Sequence, residues 1–367
     1  MGKFRRAFGR LPDPRAPNAR HELLEVLIVA LAAVLCGATT CSDMADFGRA
    51  KEDLLRGFLR LEHGIPSHDT FSRVFRLLEP QAFEAAFRRF MAAFAKANGL
   101  TLTGVVALDG KALRSAFERG QSESPLHLVN VWAVEARMAM AQHKAPGRNE
   151  TAGALEVLEL LSLEGCIVTT DALHCHRAMA KTILERGGDY VLAIKGNRGP
   201  LFAAVLRQLT RPGKRSTAER CEPSTHGRHE TRQATVMRNS SLATTHKFPG
   251  VVAVGRVTST RRPRGQRAQP KVVRHYLLST YMSAKRLLQI TRSHWTIENQ
   301  LHWVLDVHFN EDGNRARKDH APENLATLRR LALNILRAHP DPASIRRKIK
   351  RAGWDDTFLM TVLTHMR

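Results

Sequence analysis

The order of the apolar runs between residues 100 and 197 limits what this chain can fold into. Three runs that predict strands come first, closely spaced, and two more follow, each reached through a helical segment. The strand runs are 103–108, 126–135, 138–145, 166–170 and 190–194, and the helical segments are 150–161 and 175–186. Short apolar runs bounded by turn residues are typical of buried strands. The segment therefore predicts a three-stranded meander continued by helix, strand, helix and strand in one α/β sheet.

This order of strands is that of an RNase H-like sheet, in which residues at the strand ends form the site. Asp109 follows the first run and Asp171 follows the fourth, 62 residues later. Either Asp alone is explained better by a turn, because Asp is a common turn former. At neighbouring ends of one sheet, however, two like charges need a compensating charge, and a divalent cation is the usual one. In this strand order we therefore interpret both residues as metal ligands.

A third carboxylate is expected from a helix beyond the sheet. In the segment 292–306, Ile297, Leu301 and Val304 recur at helical spacing and predict a buried stripe. The adjoining face then carries acidic, imidazole and indole groups, namely His294, Trp295, Glu298, His302 and Asp306. A surface helix with incidental charges is the alternative, and two bulky tryptophans in so polar a stretch argue against it. We interpret Glu298 as the third acid.

Residues 20–100 predict an all-helical unit. Apolar side chains recur there at helical spacing, and four phenylalanines between 83 and 94 indicate a core helix. A single helix is expected over 42–61. The apolar stretch 23–38 is too short to span a bilayer and is interrupted by Glu25, so a buried helix is favoured over a membrane span or a signal peptide.

Residues 205–285 differ from the sheet before them. Short β-like runs predict a mostly β insertion. Seven Arg or Lys and no acid lie between 256 and 275, which we interpret as a basic loop at 260–270. Helices return after residue 284. The predicted domains are a helical N-terminal domain (1–100), the first part of the core (101–204), the β-rich basic insertion (205–285) and the helical remainder of the core with a basic tail (286–367).

The charge of the chain indicates its partner. It has 57 Lys and Arg against 34 Asp and Glu, a formal net charge of +23. Such a surplus repels itself on a folded surface, so a polyanion such as nucleic acid is favoured over the alternative, a basic protein from a high-GC genome. Five cysteines without a C-x-x-C pair fit neither a disulfide framework nor a zinc ribbon. We expect a soluble, cytoplasmic chain.

Several motifs, taken in order along nearly the whole length, resemble one family. They include Asp13-Pro-Arg15, Gly64-Ile-Pro-Ser-His-Asp-Thr-Phe71, Leu108-Asp-Gly-Lys111, Asn149-Glu150, Ile167-Val-Thr-Thr-Asp-Ala172, Gly188-Asp-Tyr-Val-Leu-Ala-Ile-Lys-Gly-Asn197 and His294-Trp-Thr-Ile-Glu-Asn299. The chain resembles the DDE transposases of bacterial insertion sequences, in the group related to the H-repeat-associated proteins. It departs from the broader group around the third acid, where Thr291, His294 and Leu305 replace a usual Tyr, Arg and Lys.

The resemblance implies a metal-dependent DNA transposase. Its acidic triad, both catalytic and metal-binding, maps onto Asp109, Asp171 and Glu298, which would hold two Mg²⁺ (or Mn²⁺) ions per site. These would cleave the ends of an insertion sequence and join them to target DNA by phosphodiester hydrolysis and transesterification. His302 and Asp306 would support the metal ligands from behind.

The same resemblance implies the partners. They are double-stranded DNA (terminal inverted repeats and target DNA) and a second copy of the chain in a synaptic homodimer, with no membrane, in the bacterial cytoplasm at the nucleoid. The expected DNA contacts are Lys195, Arg292 and Trp295 at the cleaved end, and Arg261, Arg262 and Arg264 on the basic loop. Two alternatives remain: a catalytically inactive DNA-binding remnant or repressor of transposition, and a nuclease on the same fold.

Overall fold

One mixed sheet lies at the centre of the molecule. The computed structural model describes residues 2–117, 125–225, 228–239, 241–265 and 267–366, and within them nine strands are ordered β3-β2-β1-β4-β5-β9-β8-β7-β6. The strands are β1 (Gly104–Phe117), β2 (Pro125–Ala133), β3 (Met138–Lys144), β4 (Cys166–Thr170), β5 (Asp189–Ile194), β6 (Ser216–Thr225), β7 (Arg228–Arg238), β8 (Ala253–Pro263) and β9 (Val272–Leu278). The predicted insertion contains residues 226–227, 240 and 266, which lie outside the described part.

Helices stand at both ends of the chain and between the strands. They are α1 (Gly2–Phe8), α2 (Leu23–Leu35), α3 (Cys41–Ala50), α4 (Glu52–Arg56), α5 (His68–Leu77), α6 (Pro80–Ala97), α7 (Glu150–Glu159), α8 (Arg177–Glu185), α9 (Gly199–Thr210), α10 (Leu242–Thr245), α11 (Ala284–His294), α12 (Trp303–Phe309), α13 (Ala321–Ala338), α14 (Ile345–Trp354) and α15 (Asp356–His365). No helix in the described ranges combines the length and apolarity needed to cross a bilayer.

The first five strands lie where the apolar runs predicted them. β1 pairs antiparallel with β2, and β2 with β3, as expected for a meander. β4 then lies parallel to β1, and β5 parallel to β4. The order of these strands is confirmed, but the first does not end at residue 108, since β1 stays paired with β2 beyond Asp109. The parallel register, with Ala107 opposite Thr169, brings residues 109 and 171 side by side.

The strands after residue 210 continue the same sheet. β9 pairs antiparallel with β5, and β8, β7 and β6 follow outward. The sequence did not predict β6, because its polar residues give no apolar run. The basic loop prediction is wrong over its first residues, since β8 extends to Pro263 and places Arg261 and Arg262 on a strand. The extension is possible because Glu230 on β7 lies opposite Arg261 and offsets its charge.

The N-terminal helices pack around phenylalanine side chains, as predicted. The rings between 83 and 94 are at most 1% exposed. The helix expected over 42–61 is interrupted, because Lys51 has a non-helical backbone (φ −120°, ψ 21°) that ends α3 and begins α4. α3 itself starts with a capping box between Thr40 and Asp43, which satisfies the first amides of the helix.

Helix α13 is buried along almost its whole length and joins the two ends of the chain. It packs against α2, α5 and α6 on one side and against β3 on another. Its polar residues are satisfied inside the core: Asn334 bonds both main-chain groups of Ala139, and Arg330 donates to Glu311 at 2.7 Å and to Asn130 at 2.7 Å. One apolar core therefore contains residues of both the N-terminal and the C-terminal helices.

Candidate active site

The interior of β1, the end of β4 and a helical segment line one cavity of about 510 Å³. Asp109 lies on β1 and Asp171 directly follows β4. Because β1 and β4 are parallel neighbours and side chains alternate along a strand, residues two beyond the Ala107–Thr169 pair present the same face. Glu298 reaches the cavity from the far side. The structure thus brings together the three acids that the sequence singled out.

Glu298 is carried on a π-helical segment, 297–302, between α11 and α12. The prediction of a regular α-helix is therefore wrong in its period: the wider π turn changes the direction of each side chain from 100° spacing. Ile297 and Leu301 are still fully buried, as predicted. Glu298 is exposed on the opposite side, towards the cavity. π-helical insertions inside helices are frequent at functional sites.

The surroundings of Asp109 disfavour its ionised form. Burial raises the pKa of Asp109 to about 7, and the neighbouring charges of Glu298 and Asp171 add to the rise. The carboxyl group therefore exchanges its proton near neutral pH unless another positive charge enters the cavity. An acid whose pKa is raised by burial and by like charges in a cleft is typical of a functional site.

Three imidazoles lie near these acids and are neutral; His174 is buried, and His294 and His302 are half-buried. The Nδ1 atom of His302 lies 3.7 Å from Asp109 Oδ2, and burial, followed by the charges of Arg330 and Lys111, lowers the pKa of His302 to about 3. His294 contacts the Thr169 hydroxyl at 3.1 Å, and burial lowers its pKa to about 4. The Nε2 atom of His174 lies 3.9 Å from Asp171 Oδ1, and burial lowers its pKa as well.

A further acid, Glu150, lies close to Asp109 and was not assigned a role from the sequence. It is the first residue of α7, and its Oε1 atom lies 2.9 Å from Nδ1 of His127 on β2. Its carboxylate packs so closely on Gly110 that a Cβ atom there would come within 2.6 Å of it. Its charge also raises the pKa of Asp109. The signal that could have found it is the helix start at Asn149–Glu150, next after β3.

Asp306 binds elsewhere than predicted from helical spacing. It accepts two hydrogen bonds from the buried Lys111 ammonium, at 2.7 and 2.8 Å. Asp312 lies 3.4 Å from the same ammonium. Lys111 is two residues beyond Asp109 on β1, so this ion pair fixes α12 against the strand that carries the first acid.

The expected DNA contacts fall in two places. Lys195 and Trp295 line the cavity itself, and the Arg274 guanidinium lies 5.2 Å from the centre of the Trp295 ring. Arg292 and Arg261 lie instead beside the buried Glu230, at 3.9 and 3.3 Å. Burial would raise the pKa of Glu230, but Arg232 and Arg261 outweigh it and hold that pKa below its usual range. Arg262 and Arg264 are exposed at and beyond the end of β8.

The acidic side chains of the cavity are of the type that binds a divalent cation. Carboxylate oxygens are the ligands that Mg²⁺ and Mn²⁺ prefer, and the raised pKa of Asp109 shows that this group of acids lacks positive charge. Within the described ranges, no group of three His, Cys, Asp or Glu side chains stands close enough to hold a metal ion as placed. A cation would have to draw the three carboxylates together.

Comparisons with known proteins cover almost the whole chain. The model of the Transposase DDE domain matches residues 101–335, and the DDE_Tnp_1-associated model matches residues 5–91. The Escherichia coli K12 protein named "H repeat-associated putative transposase YhhI" is 32% identical over 365 residues, 96% of this chain and 95% of that protein. YbfL of the same organism is 33% identical with the same coverage. A cryo-EM structure of a piggyBac transposase synaptic complex with hairpin DNA has a TM-score of 0.44 at 12% identity, covering 98% of this chain and 77% of that one.

Proposed function

Since this chain belongs to the DDE transposases, in the group of the H repeat-associated proteins, we propose that Asp109, Asp171 and Glu298 are its catalytic acids. They cut the ends of an insertion sequence and join them to target DNA. The observation that carries this proposal is the convergence of three carboxylates, from β1, from the end of β4 and from a π-helical segment, on one cavity. We also infer that β1–β5 form an RNase H-like core, interrupted by the β-rich insertion at 205–285.

The three acids are also the residues that would hold the metal. Bound there, two Mg²⁺ or Mn²⁺ ions supply Lewis acidity towards an attacking water or 3′-hydroxyl and towards the leaving 3′ oxygen. A bound cation would stabilise the ionised form of Asp109, which burial and the charges of Glu298 and Asp171 disfavour. His302, half-buried and neutral behind Asp109, excludes water from that side of the carboxylate without competing for its charge.

DNA is the substrate that fits the surroundings of the cavity. Lys195 at its edge meets a phosphate, and Trp295, steadied by Arg274, offers a flat face to the end of the strand. Arg292, Arg261, Arg262 and Arg264 extend this basic surface along the outer strands. The net charge of +23 favours long contact with a polyanion. We propose that the chain acts as a homodimer on two DNA ends, with the domain division 1–100, 101–204, 205–285 and 286–367.

The proposal is tested by incubating the purified full chain with DNA segments that flank its gene, plus a target plasmid, in Mg²⁺ or Mn²⁺. We expect nicks at the element ends and joined products on the plasmid. Asp109→Asn, Asp171→Asn and Glu298→Gln should each abolish both products while DNA binding persists. Glu185→Gln, at an exposed acid paired with Lys181 on α8, is the matched control and should remain active.

Each failure has a separate meaning. Cutting without joined products would identify a nuclease on this fold. DNA binding without cutting by the wild type would identify the inactive remnant. Full cleavage by any one of the three acid variants would remove that residue from the catalytic set.

A further inference from the structure

A groove between α12 and α14 exposes an unusual amount of apolar surface. Trp354 is 78% exposed, Trp303 is 55% exposed and Val307 is 54% exposed. Two of the chain's four tryptophans therefore stand in water on one side of the molecule. Large exposed apolar patches rimmed by polar groups mark interaction sites.

Helical spacing places these side chains in two rows, one on α12 and one on α14. Trp303 and Val307 are four residues apart on α12, and Arg346, Lys350 and Trp354 are spaced by four on α14, so each set forms one row. Val307 and His308 form one wall of a cavity of about 530 Å³, and the α14 row forms the other. Cys36 and Gly37, just after α2, complete the lining. We call this cavity with its two rows the α12–α14 groove.

Cations and aromatic rings lie next to each other in the groove. The Lys350 ammonium lies 5.8 Å from the centre of the Trp354 ring, and the Trp303 ring packs edge to face on His308 at 5.5 Å. The acids next to Trp354 are already neutralised, since Asp356 pairs with Lys51 at 2.5 Å and Asp355 lies 3.9 Å from Arg351.

The positive charges of Arg346 and Lys350 are available to a binding partner. Among the described residues, no acid pairs with Arg346 or Lys350. The groove therefore presents a net positive charge between two aromatic rings.

We infer that the α12–α14 groove binds DNA with unpaired bases, its cations contacting phosphates and its tryptophans stacking on the bases. This rests on the proposed function and adds a contact surface to it. A groove of cations with interleaved rings is the pattern that holds single-stranded nucleic acid. A second copy docked through the same groove fits worse, because Arg346 and Lys350 of the two copies would face each other.

The position of the groove indicates which DNA it holds. Trp303 follows Glu298 by five residues in one continuous helical segment, about 7 Å along the helix axis. We assign the groove to unpaired bases of the same DNA beside the cut.

The test uses the full chain in EDTA, which prevents cleavage. The probes are a labelled blunt duplex and the same duplex with a short unpaired 3′ tail, and binding is followed by fluorescence anisotropy at several salt concentrations. We expect the wild type to prefer the tailed DNA. Trp303→Ala and Trp354→Ala should each weaken tailed-DNA binding by about tenfold and leave blunt-duplex binding nearly unchanged, because a stacked base contributes about 1–3 kcal/mol. Replacement of either by Phe should restore most of the loss.

The cations give an independent readout. Arg346→Gln and Lys350→Gln should each make the slope of log K against log salt shallower by about 0.7 for the tailed DNA. Leu160→Ala, at an exposed leucine after α7, and Lys181→Gln, at an exposed lysine of α8, are matched controls and should change neither property.

The outcomes separate the two proposals. If the wild type binds neither probe, the proposed function fails together with the groove. If it binds both but the tryptophan and cation variants behave as wild type, the groove assignment alone is overturned. If Trp354→Ala instead changes the sedimentation of the DNA-free protein, the groove is an interface between copies and the assignment is likewise overturned.

Discussion

Asp109 should destabilise the protein when no cation is bound, and Asp109→Asn should relieve this. The side chain is only 22% exposed, so water screens it little. Burial and the charges of Glu298 and Asp171 raise its pKa from 3.8 to about 7. Each pKa unit corresponds to about 1.4 kcal/mol, so the ionised group lowers the free energy of unfolding by roughly 4 kcal/mol.

The sign of the pH dependence follows from the direction of this shift. Because the folded state binds the proton more tightly than the unfolded state, the contribution of Asp109 to stability is fully present below pH 3.8 and is lost as pH rises towards 7. Asparagine does not ionise in this pH range. The variant should therefore exceed the wild type by roughly 4 kcal/mol at pH 8, and the difference should vanish near pH 4.

Urea unfolding in EDTA between pH 4 and 8 measures this difference directly. Equal m-values of the two proteins would show that their midpoints can be compared as stabilities. Glu185→Gln removes an exposed acid and should match the wild type throughout. Added Mg²⁺ should raise the wild-type midpoint more than that of Asp109→Asn, since binding to the folded state stabilises it. Identical pH dependence in the wild type and Asp109→Asn would refute the reasoning.

Three further predictions concern the frame of the site and its basic surface. Arg330→Met leaves Glu311 charged and fully buried, which should cost about 3–5 kcal/mol in urea unfolding; a loss below 1 kcal/mol would contradict the pairing seen here. Gly110→Ala places a Cβ atom 2.6 Å from the carboxylate at the start of α7, so we expect a loss of about 1–3 kcal/mol and reduced DNA cleavage, whereas wild-type melting and activity would show that α7 moves aside freely. Arg264→Gln should make the salt slope of DNA binding shallower by about 0.9, and Arg261→Gln by less, because its ion pair on β7 already competes for it; equal slopes would contradict that ranking.

The core strands could be predicted from the sequence because each of them is a buried run of apolar residues. β1, β4 and β5 bury side chains on both faces, which gives their sequences apolar runs. The runs of β1 and β4 are each followed by an Asp that lines the cavity. β6 could not be predicted, because a polar edge strand has no apolar pattern to read. The length of β8 depended on Glu230, which is distant in sequence and close only after folding.

Of the candidate site, only the convergence of the three acids was predictable from the sequence. Asp109 and Asp171 follow from strand order, since each comes two residues after a pair that faces its partner in the parallel register of β1 and β4. The π turn at Glu298 has no local sequence pattern. Regular helical spacing therefore predicted Asp306 on the face next to Glu298, whereas Asp306 binds Lys111. The contact between Glu150 and Gly110 joins a helix start to a strand, which no spacing along the chain reveals.

The position of Glu298 is set by bonds on both sides of its π-helical segment. Before it, the Trp132 indole of β2 donates to the Thr296 hydroxyl at 3.1 Å. After it, Lys111 of β1 binds Asp306 at 2.7 Å. β1 and β2 are paired neighbours, and β1 also carries Asp109, so one rigid hairpin fixes both acids. Like charges in a cavity push each other apart, and a mobile helix would relieve that repulsion by withdrawing Glu298. Attachment on both sides limits this withdrawal, so that Glu298 stays in the cavity with Asp109 and Asp171.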